Sequence, residues 1–104
     1  MGFKVILTPQ SQADLKAIVT FIAKDNSDRA RTYGNELIDR VLSIATFPEL
    51  GRIVPEMGDA AVREVVHGSY RIIYEVFPEP NQISISYVFG TAREASRRSS
   101  HWLD

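Results

Sequence analysis

The sequence predicts an α+β domain of order β-α-α-β-β-β, with a helix hairpin packed on one face of a mainly antiparallel sheet. Three observations predict it. Two stretches with helical apolar spacing lie back to back, parted by one short polar break. Three strand-like runs, Val62 to Val66, Tyr70 to Phe77 and Ile83 to Phe89, then follow with turn-forming joints. The 104 residues are 44% hydrophobic and 24% charged, which suits one core. Residues 1–104 are therefore expected to form one domain, with 90–104 as a C-terminal tail open to ordering by a partner.

Phe3 to Leu7 places Phe3, Val5 and Leu7 on one apolar strand face. Where this strand pairs is not legible. Thr8-Pro9 then offers an N-cap and a first helical residue, and Ser11 with Asp14 offers a second start; the sequence does not choose between them. Leu15, Ile18, Val19 and Ile22 form the buried stripe of the first helix. The run Asp25-Asn26-Ser27-Asp28 breaks the period and supplies a new cap. Ala30, Tyr33, Leu37, Val41 and Ile44, with Ile38 beside them, define a second helix ending near Phe47, because Pro48 disfavours helix in the residue before it. Pro48 to Gly58 is rich in turn formers and is expected to be an ordered loop. Gly68-Ser69 marks a two-residue hairpin. Pro78 to Asn81 makes the next turn, and Ile83, Ile85, Tyr87 and Phe89 alternate as the apolar face of the last strand.

Composition narrows the chemistry. With no cysteine, disulfides, thiolate nucleophiles and cysteine-held metals are excluded. Two histidines, His67 and His101, are too few for a histidine-rich metal site, and no cofactor is expected. The first ten residues lack the apolar run of a signal peptide or anchor, so a cytoplasmic protein without membrane contact is expected. The formal net charge is −1. Chains that grip nucleic acid by its phosphates usually carry a basic excess, because each neutralised phosphate releases counterions. This chain has none.

The block VREVVHGSYRIIYEV, followed by ISISYVFGTAR, resembles the RelE/ParE superfamily of bacterial type II toxin–antitoxin toxins. The matching residues are Arg63, Gly68, Tyr70, Arg71, Tyr74 and Arg93, and Pro48 to Glu56 is similar to the family's proline–glycine–arginine linker. The likeness runs over about residues 3 to 93 and agrees with the element order derived above. It implies a RelE/ParE-like fold, a cognate antitoxin as partner, contact with operator DNA only through that antitoxin, and either DNA gyrase or the mRNA-bearing ribosome as target.

In the ribosome-dependent ribonuclease branch, arginines bind the scissile phosphate and a residue near the C-terminus acts as acid or base. Arg71 and Arg93 match the arginines, and His101 is the one base candidate, because the usual tyrosine after the second arginine is replaced by Glu94-Ala95-Ser96-Arg97-Arg98. The family's RNA-holding lysine cluster is missing too: all three lysines, Lys4, Lys16 and Lys24, precede the second helix. A gyrase poison of the ParE branch needs neither basic excess nor catalytic residues, and that reading is favoured. Arg93, Arg97, Arg98 and Trp102 are then candidates for partner binding, Arg97-Arg98 offering docking to an acidic antitoxin segment.

Each of these residues also has a plainer reading. Arg71 fits a strand salt bridge to Glu64 or Glu75 across a hairpin. Tyr70 and Tyr74 fit packing on one strand face, His67 fits a solvated turn residue, and Arg97, Arg98 and His101 fit a solubilising tail. A degenerate member that binds only its antitoxin is the competing class.

Overall fold

The computed structural model describes residues 2–90. Strand β1 (Lys4–Leu7) leads into helix α1 (Pro9–Ala23), then helix α2 (Ser27–Thr46). The rest is sheet: β2 (Arg52–Ile53), a 3-10 turn over Pro55–Met57, β3 (Val62–His67), β4 (Tyr70–Phe77) and β5 (Gln82–Gly90). The spatial order is β1-β5-β4-β3-β2. All pairs are antiparallel except β1 with β5, a parallel pair formed because the two helices carry the chain to β2 at the far edge and the meander returns to β5 beside β1.

Thr8 wins the competition to cap α1. Its backbone is extended, and its hydroxyl accepts the Ser11 N–H at 3.1 Å while donating toward the carbonyls of Ile85 and Ser86. The cap thereby also ties α1 to β5. Asn26 caps α2 by accepting the Arg29 N–H at 2.9 Å. The predicted stripes face the sheet: Ile18, Tyr33, Leu37, Val41 and Ile44 pack with Val65, Ile72, Ile83, Ile85 and Val88. Each such aliphatic group contributes about 1.5–3 kcal/mol by leaving water. Truncating fully buried Leu37 to alanine would cost about 2–5 kcal/mol. Ile38 departs from expectation, because it lies off the stripe at 41% exposure.

Two further expectations are corrected. The Pro48–Gly58 segment is not all loop: Arg52 and Ile53 pair with Glu64 and Arg63 as a fifth, edge strand. Gly51 admits it, since a Cβ there would lie 2.4 Å from the Glu64 carbonyl oxygen. In β5 the alternation of Ile83, Ile85, Tyr87 and Phe89 fails. The register jumps from Tyr74↔Ile85 to Ile73↔Tyr87, leaving Ser86 as the extra residue of a bulge. Val88 therefore enters the core fully buried, while Tyr87 turns to the opposite face at 37% exposure.

The bulge is held from the helix side. Asp14, nearly buried, accepts the Val88 N–H at 2.9 Å through Oδ2, and its Oδ1 accepts from Gln10 at 2.7 Å. The side chain that had suggested an alternative helix start instead fixes where β5 changes face.

Candidate functional site

The β3–β4 hairpin carries five of the six residues that match the family block, and four of them serve the fold. Gly68 adopts φ 60° at the first central turn position, while Ser69 has no positive φ, the arrangement of a II′ hairpin turn. A Cβ on Gly68 would also meet the Tyr33 hydroxyl at 2.6 Å. That hydroxyl donates to the His67 carbonyl at 2.9 Å, and the Tyr33 ring packs against buried Tyr70 at 5.9 Å. Burial pushes the Tyr33 phenol above its ordinary value, reinforced by Tyr70.

Tyr74 and Arg63 secure the chain that leads into β2. The fully buried Tyr74 hydroxyl donates to the Pro48 carbonyl at 2.8 Å and accepts the Gly51 N–H at 2.8 Å. Arg63 donates to the Gly51 carbonyl at 2.8 Å. Burial raises the Tyr74 phenol, partly opposed by the Gly51 hydrogen bond and the Arg63 charge. The proline–glycine–arginine linker and the hairpin block are thus one mechanical unit.

Arg71 remains. It lies on the sheet face away from the helices, where its Nη1 is 3.6 Å from Glu64 Oε1. Arg52, on the neighbouring edge strand, donates through Nε to Glu64 Oε2. The Glu64 side chain is only 3% exposed, against 65% for Arg52 and 40% for Arg71. One buried carboxylate therefore lies beneath two guanidinium groups that reach solvent. The Nε of Arg71 is buried with no hydrogen-bond partner among the described residues. The β5 bulge sets Tyr87 and Phe89 on this same face, their rings 5.7 Å apart, with exposed Val66 alongside.

The salt bridge expected of Arg71 to Glu64 is present; Arg52 was missed. Its signal was hidden because register with Glu64 exists only if the turn-rich segment contains a strand. His67 is not a free solvated residue. Its Nε2 lies 3.4 Å from Glu36 Oε1 and its ring packs against Tyr33 at 5.4 Å. The Glu36 carboxyl is held below the usual range, first by the Arg29 hydrogen bond, with desolvation opposing and His67 assisting. Arg93, Arg97, Arg98, His101 and Trp102 lie outside the described residues.

Among the described residues no cluster of His, Cys, Asp or Glu could hold a metal ion, and no helix is long and apolar enough to cross a membrane. A shallow, largely apolar groove of about 610 Å³ lies between the end of α2 and the β3–β4 sheet, lined by Phe3, Phe47, Pro48, Ala61, Val76 and Pro78 among others.

Residues 5–95 match the family model described as the ParE toxin of the type II toxin–antitoxin system parDE. The chain belongs to the ParE toxin family. Solved structures agree on the fold of this ParE-family toxin. A chromosomal ParDE system from P. aeruginosa superposes with TM-score 0.68 at 16% identity, covering 86% of this chain and 96% of that one. The RelBE2 toxin–antitoxin complex from Mycobacterium tuberculosis gives 0.66 at 17%, covering 86% and 99%. A mutant of the E. coli toxin RelE in the free state gives 0.61 at 21%, covering 96% and 93%. No curated protein matches the chain. At such identities these neighbours speak to the fold alone.

Proposed function

We propose that this type II toxin arrests bacterial growth by poisoning DNA gyrase and is held inactive by a cognate antitoxin. The observation that carries the choice of target is the tie between Arg71 and Glu64. An arginine that stabilises a scissile phosphate needs its charge free for the developing negative charge. Here the arginine of the hairpin block shares a buried carboxylate with Arg52. The formal net charge of −1 and the absence of any lysine after Lys24 support the same reading, since docking to ribosomal RNA calls for many phosphate contacts.

On this reading the antitoxin is a protein partner, with Arg93, Arg97, Arg98 and Trp102 among its contacts, and operator DNA is touched only through it. Gyrase places the toxin in the cytoplasm. A RelE-like ribonuclease built on Arg71, Arg93 and His101 and an inert antitoxin binder are the alternatives.

Controlled induction separates the three. Gyrase poisoning raises a DNA-damage reporter while amino-acid incorporation continues, and co-expression of the neighbouring small reading frame restores growth. Immediate arrest of incorporation with a silent reporter would instead mark a ribonuclease. Growth without arrest would mark the inert binder.

A further inference from the structure

The sheet face away from the helices holds most of what single-stranded RNA binding uses. Arg52 and Arg71 reach solvent from adjacent parts of the face, and Tyr87 and Phe89 offer aromatic rings beside them. Arginines that track a backbone next to rings that stack on bases are the usual ingredients of such a surface. One group opposes it. Glu64 sits 3% exposed at the middle of β3, within ion-pair reach of both arginines.

We propose that Glu64 is a specificity-determining residue that denies this face to nucleic acid. The inference rests on the gyrase reading above, because a ribonuclease would need the face open to RNA. A carboxylate at this strand position is expensive. Burying a charge costs more than burying an apolar side chain of similar size, and the partners recover only part of that cost because they are themselves well solvated. Val65 and Ile73, its neighbours along β3 and across β4, are the residues such a position ordinarily takes. What the carboxylate accomplishes is electrostatic. It reduces the formal charge of the trio from two positive groups to one, and it stands close beneath any phosphate that Arg71 would bind. Like charges at such separations in a poorly hydrated site repel strongly, and fewer net phosphate neutralisations release fewer counterions.

Fluorescence anisotropy of a short labelled single-stranded RNA with the full chain tests this at low salt. The wild type should bind weakly, and Arg71→Ala should change that binding by less than about twofold. Glu64→Gln should tighten binding by about tenfold, with a steeper salt dependence, and Glu64→Gln/Arg71→Ala should return it to the wild-type level. Glu64→Leu keeps the position buried, makes it apolar and should show the same gain, which covers the case in which glutamine impairs folding. Three outcomes would overturn the proposal: no gain in a folded Glu64 variant, a gain that survives loss of Arg71, or a wild type that already binds RNA through Arg71. None involves gyrase, so failure here is distinct from failure of the target assignment.

Discussion

Replacing Tyr74 by phenylalanine keeps the buried ring and removes one oxygen. That oxygen links the sheet core to both Pro48 and Gly51, donating to the Pro48 carbonyl and accepting the Gly51 N–H at 2.8 Å each. The two hydrogen bonds together contribute about 2 kcal/mol net, and a stranded buried donor costs about 1–3 kcal/mol more. Gly51 is buried, so its N–H has no ready access to water. The expected loss is therefore about 3–5 kcal/mol, or a fall in Tm of roughly 15–25 °C for a domain of this size. Urea unfolding followed by circular dichroism should show the lower midpoint with an unchanged slope, and the Gly51 amide should lose its protection from hydrogen exchange. A loss under about 0.5 kcal/mol, the size of an ordinary surface substitution, would refute the assignment of Tyr74 to the linker. So would a variant of full stability that had lost toxicity.

Asp14→Ala should destabilise by at least about 2 kcal/mol, because it strands the buried Val88 N–H and releases the bulge; thermal melts check it, and a neutral result would show that β5 holds its own register. Gly68→Ala should cost about 1–2 kcal/mol from the left-handed backbone alone, plus displacement of the Tyr33 hydroxyl, and a melt within experimental error of wild type would contradict it. Stability should also fall in alkali. The folded phenols of Tyr33 and Tyr74 are raised above 10.0, so the fold keeps protons that the unfolded chain releases. The stabilisation is whole below about pH 10 and is lost as pH climbs from there through the folded values. Urea midpoints against pH should follow that course, and a midpoint that rose across the window would contradict it.

The helices were legible because their apolar period runs uninterrupted from Leu15 to Ile22 and from Ala30 to Ile44. Competing caps were not resolved by local pattern, since Thr8 owes its role partly to carbonyls on β5, far away in sequence. The Ser86 bulge was hidden for a similar reason. Ile83 to Tyr87 alternates with Ser84 and Ser86 along the chain, and the Asp14 carboxylate and the pairing with β4 shift the face beyond it. At the candidate site, Arg71 stood out through family likeness and its bond to Glu64 through hairpin register. Arg52 did not, because a two-residue edge strand carries no periodicity of its own. The family block proved to be mostly architecture: Arg63 and Tyr74 hold the linker, Gly68 makes the turn, and Tyr70 fills the core.

Purified toxin, assayed side by side on gyrase with supercoiled plasmid and on programmed ribosomes carrying mRNA, tests the target most directly. A gyrase poison gives gyrase-dependent plasmid cleavage, reversed by antitoxin, and leaves the mRNA intact. Cleavage of mRNA in the ribosomal A site with gyrase untouched would contradict the gyrase reading.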